Sequence, residues 1–410
     1  MSSLRTADRI VYTVHVPDAR SAPAPARAAD RYDVAVVGGG VTGCATAYHL
    51  AMGGARVVLL ERSEIGTEAS GRNAGSLHGQ IAHEAFSELG EPWARAFLPA
   101  LEFLLESLSA WRTLSDELQT DLEVTTHGGL LLVDDPIQMR LVEQKVRIEQ
   151  LVGLDSRLLS RDELLSIAPY VSRAMIGAEF SPVEGKVNPM LAAPAFARAA
   201  LEAGAEIRAR TGVITLEARS HEVRLTIAGG IVCADRVVLA SGNELADHAR
   251  NLGTTLPITT EPVQVSVTEP IEPLINHLVY FAGHRLTLKQ ASAGSVLIGG
   301  GWPARVHPLT GYPTVDVTSL RENLSVAVRA APRVGSALLL RSWAGIGNGT
   351  PDHRPLLGRL ESAPRALVGL FPYMGLTAGP LMGRVLADIA LGNKPGLDIS
   401  PFKPGRFSDD

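Results

Sequence analysis

Residues 32–80, YDVAVVGGGVTGCATAYHLAMGGARVVLLERSEIGTEASGRNAGSLHGQ, narrow the fold of this chain more than any other stretch. Residues 33–37 are mostly apolar and β-branched, the mark of a buried parallel strand. Gly38, Gly40 and Gly43 follow as G-x-G-x-x-G, and each meets a separate need. Gly38 permits a tight turn, Gly40 lets the backbone approach a pyrophosphate, and Gly43 lets a helix pack close to the strand. A helix from Val41 then turns its N-terminal N–H groups and dipole towards the phosphates. Gly53-Gly54 ends it, and residues 56–60 form the next strand. Glu61 closes that strand about 20 residues past the glycines, where a carboxylate can accept hydrogen bonds from a ribose diol. Strand, glycines, helix, strand and acid in this order define a dinucleotide-binding unit rather than a structural glycine turn. Glu61 would repel a 2′-phosphate, which disfavours NADP and leaves NAD and FAD open.

The 410 residues allow two domains or one large α/β domain with insertions, and a hydrophobic content of 46% predicts a sizeable core. A net charge of -5 gives no case for nucleic acid or an anionic membrane surface as partner. The two cysteines, Cys44 in the first helix and Cys233 in a strand, read as small core residues, with no C-x-x-C for a cluster or zinc. No apolar run reaches ~18 residues, so no transmembrane helix is expected. Residues 10–16 are broken by Thr13 and His15 and are too short for a secretory core, so a cytoplasmic location is the default expectation. Residues 1–30, with the Ala/Pro run 21–29, read as a stiff, mobile extension.

Further along, residues 91–119 carry Leu98, Leu101, Leu105, Leu108 and Trp111 at helical spacing, an apolar stripe for the core. Asn188-Pro189 is a helix start, with Asn as cap and Pro at the first helical position. Val223, Leu225 and Ile227 alternate towards a Gly229-Gly230 hairpin turn. Residues 236–240 form a buried strand that ends in Ser241-Gly242, small residues suited to backbone contact with a flat ligand. Residues 260–268, 278–281, 285–290 and 295–298 read as successive antiparallel strands. A helix is expected from about Gly379 to Leu391, after a glycine-rich segment. The dinucleotide unit thus sits at both ends of the chain, with an antiparallel sheet between them.

Four segments resemble the D-amino-acid-oxidase-like FAD amine oxidoreductases: DVAVVGGGVTGCATAYHLA with VVLLER, ASGRNAG, ADRVVLASG, and the pair RSWAGIGNGTPDHRPLLG and GLFPYMGLTAGPLMGRVLADI. The resemblance spans most of the chain, from Tyr32 to roughly Asn393. Within that family the chain looks most like the FAD-binding β subunits of opine or sarcosine oxidases and related imino-acid dehydrogenases. The resemblance implies an α/β fold in which a Rossmann-like FAD domain interleaves with an α+β substrate domain built on an antiparallel sheet. The expected FAD domain takes residues 31–90, 155–173, 189–256 and 335–400, and the substrate domain takes 91–154, 174–188 and 257–334.

By this resemblance Glu61 binds the adenosine ribose, Arg62 lies beside the adenine end, and Val213 meets adenine through its backbone. Ser70, Asn73, Ala74 and Gly75 wrap the pyrophosphate and ring, and Gly345, Met374, Gly375, Leu376 and Thr377 meet the flavin from the other side. The monomeric sarcosine oxidases attach their flavin through a Cys in the segment similar to residues 369–374; none occurs here, so the FAD is expected to be non-covalent. They also carry a Lys where this chain aligns Thr377. The β-subunit likeness implies electron-transfer partner subunits in a hetero-oligomer and leaves room for a second flavin at a subunit interface.

The activity implied is oxidation of a secondary amine or amino acid to an imine, which water hydrolyses to a keto acid and an amine. Opines, sarcosine-like N-alkyl amino acids and proline derivatives are the candidate substrates, and electrons pass to a partner subunit or to oxygen. His78 can deprotonate the substrate or anchor its carboxylate, or serve only as a hydrogen-bonded loop residue. Arg72 can bind a carboxylate with its planar fork, or sit on the pyrophosphate or in an ion pair. Lys289, in RLTLKQ, can assist oxygen or bind substrate; as a strand lysine its ordinary place is in solvent. Tyr280 and His284 precede the same strand and can line the pocket, or serve as surface or packing residues, their more ordinary place. The alternative function is a flavin-binding assembly or electron-transfer subunit without amine chemistry of its own.

Overall fold

The computed structural model describes residues 31–407. The extension expected at residues 1–30 lies outside them. Two large sheets organise the chain.

The first is the dinucleotide sheet. Strand Arg31–Val37 lies between Gly230–Leu239 and Val57–Leu60, parallel to both, and Glu206–Arg208 and Ala366–Leu370 flank the trio. Register explains the site. Val37 stands opposite both Leu239 and Leu60, so the three central strands end at one level. The residues that come next, Gly38, Ala240-Ser241-Gly242 and Glu61, are therefore neighbours at the carboxyl edge of the sheet. That is where open α/β sheets place their ligands.

The second sheet runs in the order Leu339–Gly349, Thr259–Pro270, Ser295–Pro303, His284–Gln290, Leu278–Phe281, Gly129–Val133, Gly177–Ser181 and Arg157–Ser160. It is antiparallel except where Leu278–Phe281 pairs in parallel with Gly129–Val133. Alternation sorts its faces. Leu286 and Leu288 point into an apolar core, which leaves Thr287 and Lys289 on the opposite face. There a Cβ on Gly299 would touch both Thr287 and Ala74, so this face lies against the loop after the dinucleotide unit.

Three expected boundaries move. Strand Arg157–Ser160 pairs with Gly177–Ser181, and Leu159, Leu164 and Tyr170 join the core of the second sheet, so segment 155–173 sits there and not with the cofactor half. Helix His83–Glu117 buries Phe97, Leu101, Leu104, Leu108 and Trp111 in the cofactor-side core, although the sequence assigns its stripe to the substrate half. A helical stripe shows that a face is buried but not against what. Residues 339–349 pair with Thr259–Pro270 as an edge of the second sheet before the chain returns to the first. The sequence-derived helix start at Glu91 has a cause: Gly90 leaves helical geometry at φ 74°, and a further turn from His83 precedes it.

The C-terminal helix begins at Gly375, one turn before the expected Gly379, and runs to Leu391. It packs on helix Val41–Met52 through glycines. A Cβ on Gly379 would fall 2.4 Å from Val41 Cγ1, and one on Gly383 would fall 2.5 Å from Ala45 Cβ and 2.8 Å from the Thr46 amide nitrogen. Backbone cannot retreat as a long side chain can. Gly383→Ala should therefore destabilise the fold by about 1–3 kcal/mol, read by chemical denaturation. The same substitution at Gly375, where the space is open, should cost less.

Candidate active site

A groove at the carboxyl edge of the first sheet is lined by Gly38, Gly39, Gly40, Glu61, Arg62, Ala69, Ser70, Val213, Ser241, Gly242, His248 and Asn348, among others. With its open mouth it encloses about 760 Å³. Its shape depends on missing side chains. Gly38 adopts φ +108°, and a Cβ there would lie 2.4 Å from the Ala240 carbonyl oxygen; one on Gly43 would lie 1.9 Å from that of Gly38.

Glu61 is buried and oriented by backbone. Gly39 N–H donates to one carboxylate oxygen at 2.6 Å, and Ser63 N–H to the other at 2.7 Å. Each oxygen keeps a lone pair for a ribose hydroxyl. Ser70 Oγ accepts the Val41 amide at 3.0 Å, which ties the short helix Ala69–Arg72 to the phosphate turn. Arg62 pairs with Glu244 at 2.8 Å at the far end. Ser241 bonds His248 Nδ1 at 2.8 Å, and the buried Asn348 Oδ1 has no protein partner among the described residues. His248, on helix Leu245–Asn251, and Asn348, near the end of strand Leu339–Gly349, were not singled out in the sequence.

The segment after the short helix is shaped by its own side chains. Asn73 Nδ2 donates to the carbonyls of Ala69 and Ser70, and its Oδ1 accepts the Gly75 amide, so Asn73 folds this loop. Gly75, at φ +77°, passes Val187 where a Cβ would lie 2.2 Å from the carbonyl oxygen. Gly345 faces Arg72, and a Cβ on Gly345 would lie 3.3 Å from Arg72 Cβ. Across the loop, helix Gly375–Leu391 points its N-terminus inward after Met374, with no side-chain cap. The Ala378 amide is bonded to Met374 O, and the amides of Gly375, Leu376 and Thr377 have no acceptor within the helix. Such an end favours negative charge.

The structure brings two of the three predicted chemical residues together. The His78 amide donates to Thr377 Oγ1 at 3.0 Å, and Lys289 Nζ donates to Ser76 Oγ at 2.8 Å. Ser76 and His78 flank Leu77, and the Lys289 charge acts on His78, so both side chains belong to one cluster. Lys289 is 1% exposed, which overturns its ordinary solvated place. Burial, with nearby Lys186, pulls its ammonium down to about 7. Burial and Lys289 together hold His78 neutral, down to about 3. Arg72 stands apart: its Nε donates to the Thr67 carbonyl at 2.9 Å and its Nη1 approaches that of Ala344 at 3.5 Å, with Glu68 at 3.9 Å. It clamps the loop and does not reach the His78 cluster.

Tyr280, expected at a surface or in packing, bonds His78 Nδ1 at 2.8 Å and donates to Glu184 Oε1 at 2.9 Å. Glu184 was not legible in the sequence. Its carboxylate lies against Gly129, where a Cβ would sit 1.7 Å from Oε2, so HGGLLLVD leaves room for it. Burial pushes Glu184 up to about 7, against the pull of its hydrogen bonds. His284 does remain at the surface, beside Arg329.

The groove, its glycines and Glu61 define a dinucleotide-binding protein, and a buried cluster of titratable side chains stands on the far side of the SGRNAG loop. The sequence matches the FAD dependent oxidoreductase family, DAO, over residues 33–389, and the chain belongs to that family. FAD is its cofactor, and the Glu61 cradle and the paired helix ends fit it. Glycine oxidase from Geobacillus kaustophilus is 29% identical over 385 residues, 92% of this chain and 97% of that protein. A glycine oxidase structure from the same organism superposes with a TM-score of 0.82, covering 92% of this chain and 99% of that one at 26% identity. Sarcosine oxidase subunit beta of Rhizobium meliloti is 27% identical over 92% of this chain and 88% of its own length. L-proline dehydrogenase from P. horikoshii gives a TM-score of 0.82 at 25% identity, covering 93% and 99% of the two chains. The chain is an FAD-dependent amine or amino-acid oxidoreductase. No helix among the described residues is long and apolar enough to cross a membrane.

Two measurements test this geometry. Glu61→Gln replaces one acceptor oxygen with an amide facing a backbone N–H. FAD affinity should fall on the order of 10–100-fold, measured by titrating apoprotein with FAD. The second concerns pH. Lys289 is charged below about 7 and Glu184 is charged above about 7, so both change the local charge in the same direction. As pH rises from about 6 to 8, the site turns from cationic to anionic. Dissociation constants of small carboxylates, read from the flavin spectrum, should therefore rise at least about tenfold. Lys289→Met should weaken binding at pH 6 and leave only the part of the dependence that Glu184 carries.

Proposed function

We propose that the chain oxidises a secondary amine or N-alkyl amino acid to an imine, which water hydrolyses to a keto acid and an amine. The observation that carries the reading is the buried cluster of His78, Lys289, Tyr280 and Glu184 behind the SGRNAG loop. A cationic nitrogen with an attached carboxylate needs a proton acceptor and a positive anchor side by side, and this cluster supplies both. His78 is neutral and its Nε2 has no partner among the described residues, so it is free to take a proton. Lys289 is the cation available to hold a carboxylate. The bound FAD supplies the hydride acceptor, and the open helix end at Gly375 stabilises negative charge there.

The relatives support an amino-acid nitrogen as the target. Their names include glycine oxidase, sarcosine oxidase subunit beta and L-proline dehydrogenase. Opines, sarcosine-like amino acids and proline derivatives are the substrates to try. The β-subunit relative favours a partner chain as electron acceptor, in a hetero-oligomer. A purely assembling flavin subunit would have no need of a buried lysine, with no carboxylate partner among the described residues, near an imidazole whose Nε2 is open.

Anaerobic mixing with a panel of N-alkyl amino acids should bleach the flavin, and readmitted oxygen should restore it slowly if a partner is the natural acceptor. A flavin that no member of the panel reduces would sink the catalytic reading. Fast reoxidation would instead make the chain an oxidase.

A further inference from the structure

His78 is the near end of a buried relay. Its Nδ1 lies 2.8 Å from Tyr280 Oη, and Tyr280 Oη lies 2.9 Å from Glu184 Oε1. Glu184 is fully buried, and it also accepts the Gly79 amide at 2.7 Å and Gln80 Nε2 at 2.6 Å. Donor counting leaves two arrangements of this chain. With Glu184 ionised, Tyr280 donates to it and accepts from His78 Nδ1–H, so His78 Nε2 is a bare lone pair. With Glu184 protonated, its O–H donates to Tyr280, Tyr280 donates to Nδ1, and the imidazole proton sits on Nε2. The two arrangements differ by one proton, taken up at Nε2 and stored at Glu184.

We propose that Glu184, acting through Tyr280, is the acceptor of the proton that His78 removes from the substrate nitrogen; this rests on the amine reading above. The balance closes. The substrate N–H bond breaks as an Nε2–H bond forms, Nδ1–H passes to Tyr280, and the Tyr280 proton passes to Glu184. The substrate changes from ammonium to neutral amine, and its C–H hydride then leaves to FAD. No imidazolium is required, which matters because burial and Lys289 oppose one at this position. Tyr280 and Glu184 are positioning residues, since neither touches the substrate.

The titratable and charged groups around Glu184 come from every element packed on it. They are Tyr280 and Lys289 on the second sheet, Glu179 on Gly177–Ser181, and Lys145 and Glu149 on helix Pro136–Glu149. His78, and His83 and Glu84 at the start of helix His83–Glu117, complete the set. Gln80 passes no proton onward but ties Glu184 to Lys145, whose Nζ donates to its Oε1 at 3.2 Å. Burial and the net of these charges hold Glu184 near neutrality, so it accepts a proton only above about 7.

The test uses the FAD-loaded protein. Nitrogen NMR of His78 should show the Nδ1–H tautomer at high pH and the Nε2–H tautomer at low pH, with no substrate present. Glu184→Gln should abolish that switch. With a reducing amine, flavin reduction in the wild type should fall about tenfold per pH unit below about 7. Glu184→Gln and Tyr280→Phe should each slow reduction by more than tenfold and flatten the acid limb, and the double variant should be no slower than either single one. A wild-type tautomer that does not change with pH, or additive losses in the two variants, would overturn the relay. If Glu184→Gln does not fold, the wild-type titration and Tyr280→Phe still decide it. A tautomer switch in a protein whose flavin no amine reduces would overturn the substrate reading alone.

Discussion

The close contact between helix Val41–Met52 and helix Gly375–Leu391 holds the beginning and the end of the chain together. Two ordinary helices keep their axes about 8–10 Å apart because side chains intervene. Here Gly379 and Gly383 remove the side chains, and Val41, Ala45 and Thr46 lie where a Cβ would be. Both helices therefore present their N-termini to one site. The first faces the phosphate turn and the last faces the SGRNAG loop. Spread these helices, and the amides of residues 375–377 no longer stand opposite Ser70 and His78. Thr377 holds the His78 amide directly, so the helix end also fixes the loop that carries His78.

A second constraint is the cost of burying charge. Lys145, Glu149 and Glu179 are fully buried, and Lys145 Nζ reaches Glu149 at 2.6 Å and Glu179 at 2.8 Å. Burial alone would strip a proton from the lysine, but the two carboxylates hold its ammonium above the usual range. Removing ions from water costs several kcal/mol each, and the groups persist only because nearly every donor meets an acceptor. Ser156 and the Ile81 amide both donate to Glu149. This network stands behind Gln80 and Glu184. It makes the wall behind His78 polar, whereas Leu130, Leu132, Leu286 and Leu288 turn the other face of the second sheet into an apolar core.

Much of the cofactor site was legible before any coordinates. Gly38, Gly43 and Glu61 act locally, through a turn, a strand end and a helix start, and sequence spacing reports local geometry well. The C-terminal resemblance placed residues 374–377 on the same ligand. Less was legible where the function of a residue comes from its neighbours. Lys289 looked like a solvated strand lysine because alternation shows which face it takes but not what covers that face. Tyr280 looked ordinary for the same reason. Glu184 sits in SPVEGKVNP, a turn with no motif, and only the space left by Gly129 and the pairing of Gly185–Lys186 with Ser76–Leu77 bring it to His78. For Arg72 the sequence left a carboxylate anchor and a pyrophosphate or ion-pair role open. Its guanidinium had the right chemistry for a carboxylate, but the nearer carbonyls of Thr67 and Ala344 took it.

The sequence by itself determined the dinucleotide unit and the alternation of the second sheet, because each follows from contacts among residues close along the chain; FAD in place of NAD came from the resemblance of segments at both ends. Tertiary structure alone decided which buried groups face one another. It set Lys289 on Ser76, and Tyr280 between His78 and Glu184. It also drew segment 155–173 into the second sheet and helix His83–Glu117 onto the first. These outcomes follow from strand order and helix docking, in which residues far apart along the chain compete to bury the same surface. Proton affinity is set in the same way, since desolvation and neighbouring charge exist only once the chain is packed.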